Sequence, residues 1–157
     1  MPLSSTARIA LPFILITFSG ATARSADEAE EPIDLSLVCF KAAPGKGKFK
    51  IDKRLKDHEA VIKSYFKNTK YRRFTFVAKD KLSVADGGSG SVEVGGLTVE
   101  VEAERKEDES VTMTVKVSKD GTESSNVPWK NVKPGQKCIQ SGPKSGSGRL
   151  FVSLSVQ

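Results

Sequence analysis

From Val92 to Val117 apolar and polar residues alternate with a period of two, broken only by a glycine pair and a charged turn. A helix would scatter these valines around its circumference, whereas a strand lines every second side chain along one face. Val92-Glu93-Val94 and Leu97-Thr98-Val99-Glu100-Val101-Glu102 flank Gly95-Gly96. That spacing predicts two strands joined by a tight turn, because glycine accepts the positive φ angles that two-residue hairpins need. Arg105-Lys106-Glu107-Asp108-Glu109 forms the next turn, and Val111-Thr112-Met113-Thr114-Val115-Lys116-Val117 pairs back across it. Asp120-Gly121 marks a further hairpin. The clean alternation puts one face of this region in water.

The flanking segments add one helix and more strands. Ile33 to Phe40 alternates and then turns fully apolar, as a strand entering a sheet does. Ala43-Pro44-Gly45-Lys46-Gly47 ends it as a loop. Asp52 is placed to cap a helix from Lys53 to Lys67 that carries Leu55, Val61, Ile62, Tyr65 and Phe66 on one stripe, with Asn68 as the stop. Beyond it Phe74, Phe76, Leu82 and Val84 point one way from a strand pair or one long bent strand, and Asp86-Gly87-Gly88-Ser89-Gly90 breaks the run. Residues 122–148, rich in Pro, Gly and Ser, read mostly as loop, with short strands near Val127 to Val132 and Lys137 to Ile139. Leu150 to Val156 is a last strand that needs a partner on its edge. The expected fold is α+β, mainly β: an antiparallel sheet of hairpins with one helix packed on it.

Residues 1–23 read as a signal peptide. Arg8 precedes the apolar run Ile9 to Phe18, and Ala21-Thr22-Ala23 fits the small-residue cleavage pattern. The run is too short to cross a bilayer, which takes about 20 residues, so the mature chain is expected to have no transmembrane span. Residues 24–32 form an acidic leader without apolar residues enough to fold, and 33–157 one β-rich domain. The protein is therefore expected to be exported and to reside in the periplasm, at the outer membrane or outside the cell. In an oxidising compartment Cys39 and Cys138 are expected to form a disulfide, two buried free thiols being the competing reading.

After residue 23 the chain keeps 24 bases against 19 acids, a net +5. Their distribution is uneven. Residues 41–81 hold 14 Lys and Arg against four acids, whereas 92–126 hold nine acids against four bases. Lys46, Lys48, Lys50, Lys53, Arg54, Lys56, Arg72 and Arg73 are the candidates for holding an anionic polymer through its charges. A solvated lysine face that keeps an exported protein soluble is the competing reading.

Catalytic chemistry finds no constellation here. His58, the single histidine, lies between Asp57 and Glu59 on the expected helix, where an exposed position is expected. Without a second histidine a serine or cysteine nucleophile lacks an independent base. Gly45-Lys46-Gly47 and Gly142-Pro143-Lys144-Ser145-Gly146-Ser147-Gly148 match neither the P-loop nor the dinucleotide pattern and are read as loops. Glu100, Glu102 and Glu104 share one side of a strand, as the exposed face of a half-buried strand does. Trp129 is expected to pack at the core or its edge. No cofactor, metal site or small-molecule substrate is expected, and the expected partner is an envelope protein or an anionic polymer.

The cadence from Leu82 to Lys119, with Val92-Glu93-Val94-Gly95-Gly96 followed by Leu97-Thr98-Val99-Glu100-Val101, resembles the β-hairpin module of bacterial secretins. The junction Tyr65-Phe66-Lys67-Asn68-Thr69-Lys70-Tyr71 is similar to that of small exported bacterial proteins of unknown function. The secretin resemblance covers about 40 residues and implies a sheet module of an envelope assembly. Neither the repeated ring modules nor the barrel and gate of a secretin is found, so the resemblance implies no export channel.

Overall fold

The valine rows of the hairpin region need an apolar layer to cover them, and the rest of the chain supplies it as a second sheet. The computed structural model describes residues 31–157, so the expected signal peptide and nearly all of the acidic leader lie outside the described residues. The elements are β1 (Ile33–Pro44), β2 (Lys50–Ile51), a 3-10 helix (Lys53–His58), α1 (Glu59–Phe66), β3 (Tyr71–Val84), β4 (Gly88–Val94), β5 (Leu97–Arg105), β6 (Val111–Lys119), β7 (Thr122–Val132), β8 (Lys137–Ser145) and β9 (Gly148–Val156). One sheet has the order β2-β3-β1-β9-β8 and the other β4-β5-β6-β7. All pairings are antiparallel except β2 with β3. The mainly β, α+β expectation holds, with two packed sheets where one was expected.

Three layers result. Between the sheets, Ile33, Leu35, Leu37 and Cys39 of β1 and Leu150, Val152, Leu154 and Val156 of β9 meet Leu97, Val99 and Val101 of β5 and Val111, Met113, Val115 and Val117 of β6. On the far side of the five-stranded sheet, Val38, Phe40, Ala42, Phe74, Ile139 and Phe151 pack against Leu55, Ile62 and Phe66 of the helical layer. Strands β1 and β9 are thus covered on both faces, which is why each carries a continuous apolar run, Leu37 to Phe40 in β1 and Leu150 to Val152 in β9. The terminal strand has the partners it needs, lying between β1 and β8.

An eight-residue helix does not hold itself together in water. Here α1 rests on a cluster of rings. Phe40 stacks on Phe151 at 5.8 Å, and Phe66 lies 4.8 Å from Phe74 and 4.9 Å from Phe151. The expected single helix is split, its first half being the 3-10 segment. Asp52 does cap it, accepting from the backbone N–H of Arg54 at 3.0 Å. The buried stripe is Leu55, Ile62 and Phe66; Tyr65 stands 47% exposed.

Two further expectations are corrected. Phe74 and Phe76 face the helical layer, whereas Leu82 and Val84 face the second sheet. The pairing of β1 with β3 skips Val77, since Cys39 opposes Ala78 and Phe40 opposes Phe76. A bulge inserts one residue, so the same alternation continues on the opposite face. Likewise residues 122–148 are mostly strand. Pro128 and Pro143 sit on β7 and β8, each the last strand of its sheet, where a missing N–H costs no ladder bond.

The turns form where they are expected. Gly95 and Gly96 have φ of 59° and 82°, and Asp120 and Gly121 of 50° and 81°. At Gly95 space adds to the demand, because a Cβ there would lie 2.8 Å from Cys39 Sγ. A buried glutamine ties the sheets together at their β7 and β8 side. Gln140 Nε2 donates to Val115 O at 2.6 Å and to Ser125 Oγ at 2.9 Å, while its Oε1 accepts from Trp129 Nε1 at 3.0 Å. Trp129 is partly buried against the core, as expected.

Candidate functional site

The two cysteines do not form the expected disulfide; both are buried free thiols. Cys39 lies opposite Val152 and Cys138 opposite Leu154, so β9 runs between them. Two strand spacings are about 10 Å, beyond the roughly 4.4–6.8 Å between Cα atoms that a disulfide spans. Burial pushes each thiol up to about 11 from an ordinary 9.0. Thiol reagents should therefore leave the native protein unlabelled and modify both cysteines once it is denatured. The raised values also fix a sign: the unfolded chain ionises first, so stability falls as pH rises from about 9 to about 11, by up to about 1.4 kcal/mol per pH unit per thiol. Denaturation at about pH 8 and about pH 10.5 should show a loss that Cys39→Ala/Cys138→Ala lacks. An equal loss in the double variant would assign it to other groups.

The cationic residues gather at one end of the five-stranded sheet. Lys50 of β2 opposes Arg73 of β3, Arg73 opposes Ala43 of β1, Ala42 opposes Arg149 of β9, and Arg149 opposes Lys144 of β8. Four of five strands thus bring a cation to the same end, but not to one face: Lys50 and Arg73 share the face of Ala43, and Arg149 and Lys144 share the opposite face, that of Ala42 and the helical layer. The loop carrying Lys46 and Lys48 enters from this end, its Gly45 N–H donating to Lys70 O at 3.1 Å. At the turn between β8 and β9, a Cβ added to Gly146 would lie 3.6 Å from Lys41 Nζ.

The eight candidate residues divide by what they touch. Arg54 and Arg72 have internal partners. Arg54 is bound to the Asp52 carboxylate, Nη2 donating to Oδ2 at 2.8 Å and Nε to Oδ1 at 3.2 Å. Asp52 also accepts from Phe76 N–H at 3.2 Å, which ties the two-residue strand β2 to β3. The Arg54 side-chain and backbone donors hold the Asp52 carboxyl well below the usual carboxylate range. Arg72 Nη1 donates to Thr69 O at 2.6 Å and Tyr71 O at 2.7 Å, and so satisfies carbonyls just past α1. Lys46, Lys48, Lys50, Lys53, Lys56 and Arg73 are exposed and have no carboxylate within ion-pair distance among the described residues. Sequence reasoning missed Lys144 and Arg149, which strand pairing alone brings to this end.

The opposite outer layer has the other sign. The solvent face of β4 to β7 carries Glu93, Glu100, Glu102, Glu104 and Glu123, with Lys116 3.4 Å from Glu100. A shallow groove of about 410 Å³ runs along it between Ser91, Glu102, Thr114 and Asn126. His58 is half-buried, which corrects the exposed position expected for it. Its Nδ1 has no hydrogen-bond partner among the described residues. Burial, and then Lys137, lower its pKa, and Asp57 opposes them. Among the described residues no three His, Cys, Asp or Glu side chains group as metal ligands, and no helix is long and apolar enough to cross a membrane.

The secretin-like cadence falls on the end of β3 and on β4, β5 and β6. No protein family, curated protein or solved structure matches the chain.

Proposed function

We propose that the protein is a non-enzymatic, exported β-rich module that holds a polyanion at the cationic end of its five-stranded sheet. The observation that carries this reading is the gathering of Lys50, Arg73, Arg149 and Lys144, cations from distant segments that strand pairing sets on the two faces of one end of the five-stranded sheet. Clustered charge of one sign attracts polymeric counterions and gains from the small ions they release. The acidic outer face of β4 to β7 would turn away from such a ligand, so binding is one-sided. Export rests on the N-terminal segment alone.

Fluorescence anisotropy with a labelled sulfated or phosphorylated polymer tests it. Lys50→Glu/Arg73→Glu/Lys144→Glu should weaken binding by about a hundredfold at low salt and flatten the salt dependence by about one unit of slope per cation removed. Lys119→Glu, on the other sheet, should change affinity little. Equal losses would show that net charge alone matters, and absence of binding to the unmodified protein would leave the lysines as a solubilising face.

A second reading, an assembly module of the envelope, is favoured by the outer edge of β3. Strand β2 pairs only with Arg73 and Phe74, so Val77 to Ser83 have no strand on that side among the described residues. A partner strand could add there. The charges of Lys79, Asp80 and Lys81 oppose indiscriminate pairing. Co-purification with one defined envelope protein that is lost on proline substitution at Lys81 would favour this reading.

A further inference from the structure

We propose, resting on the polyanion reading above, that the ligand is recognised through its charges alone: a linear chain of phosphate or sulfate groups, with no base or other ring stacked on the protein. The aromatics that interleave with the basic residues have the composition of a single-strand stacking surface. The geometry assigns them another task. The Arg54 guanidinium lies over the Phe76 ring at 4.8 Å, that of Arg72 over Phe49 at 4.9 Å, and Lys70 Nζ over Tyr71 at 5.8 Å. Each half-buried ring beside the cationic end is thus already covered by one of the protein's own cations, an attraction that holds the cation in place.

A base could displace these groups only by breaking further bonds. Arg54 would leave the Asp52 carboxylate, and Arg72 the carbonyls of Thr69 and Tyr71. Two of the three rings also pack against others. Phe49 packs on Phe74 at 5.8 Å, and Tyr71 meets Phe66 and Phe151 edge-on at 5.9 and 5.8 Å. Among the described residues Tyr65, on α1, is the exposed aromatic that this leaves. One open ring does not make the succession of platforms on which consecutive bases stack. The aromatics therefore organise Arg54, Arg72 and Lys70, and the exposed cations outside these pairs, Lys50, Arg73 and Lys144, meet the ligand.

The spread of these cations across the sheet end also sets a minimum size. From β2 to β8 is four strand spacings, about 19 Å, and the cations divide between the two faces of the sheet end, so a ligand that engages every one is a polymer and not a single oxyanion.

Two probes separate the possibilities: a labelled oligothymidylate longer than this span, and an abasic deoxyribose-phosphate strand of the same length. The abasic strand keeps every charge and removes every ring. The expected result is equal affinity within about twofold, equally steep loss with salt, and no competition by inorganic phosphate at the same charge concentration. Oligothymidylate bound about fivefold or more tightly than the abasic strand would overturn the inference, and loss of that excess in Tyr65→Ala would identify the stacking ring. Strong competition by inorganic phosphate would equally overturn it. If neither strand binds at low salt, the polyanion reading itself fails and this inference with it.

Discussion

Phe40→Ala should lower the unfolding free energy by about 3–5 kcal/mol, the range for removing a large ring from a well-packed core. Phe40 is fully buried at the centre of the inner sheet, on the side that carries the helical layer. Its ring touches three others, Phe66 at 6.1 Å, Phe74 at 6.2 Å and Phe151 at 5.8 Å, which belong to α1, β3 and β9. Truncation therefore opens a cavity that no single neighbour can fill, and it loosens the helix, which has little stability of its own. Val77→Ala, at the exposed bulge, should cost less than about 0.5 kcal/mol. Urea denaturation of both variants measures the difference. A loss below about 1 kcal/mol for Phe40→Ala would mean that the helical layer is not packed on the sheet as described.

Gln140→Ala should be comparably damaging through polarity instead of volume. It would leave the Trp129 indole N–H without its acceptor, at about 1–3 kcal/mol, and strip the Val115 carbonyl, which also lies in the ladder of β5, β6 and β7, of its side-chain donor. The tryptophan N–H can only donate, which fixes the amide orientation: Oε1 faces Trp129 and Nε2 faces Val115 and Ser125. Gln140→Glu sharpens the test. The carboxylate would keep the acceptor for Trp129 but turn a negative charge on the Val115 carbonyl oxygen. Its protonated form would restore an O–H donor. Burial should raise the folded pKa of this carboxyl above its unfolded value of about 4.3, so the deficit should be smallest below about pH 4 and grow as pH rises through the folded pKa. A deficit independent of pH between about 4 and 8 would show that the site is wet and that Gln140 does not seal the sheets together.

What could be read without coordinates was local. The hairpins of β4 to β7 followed from alternation and from Gly95-Gly96 and Asp120-Gly121, because a turn and the two strands beside it are neighbours in the chain. Asp52 was legible as a cap, since the capping bond spans two residues. The basic segment and its acidic counterpart were legible as composition. Their arrangement was not, because Lys144 and Arg149 reach the cationic end only through the pairing of β8 with β9 and of β9 with β1.

The errors have one physical origin, which is that pairing partners and buried faces are chosen over long sequence separations. Proline and glycine gave β7 and β8 the look of loop, but edge positions tolerate both. The bulge at Val77 turns one alternating strand from the helical layer to the second sheet, and no residue type announces it. Two cysteines in a chain read as exported suggest a bond, yet the terminal strand β9 inserts between their strands and sets them apart. The amino-acid sequence by itself determined the strands β1, β3 to β6 and β9, the tight turns, the apolar stripe of the helix and the charge of each segment, all of which depend on neighbours within a few residues. Only the tertiary structure decided that the strands form two sheets and not one, which face each apolar row covers, that the thiols stay free, and that cations from four strands meet at one end, because those outcomes depend on which distant segments exclude water from one another.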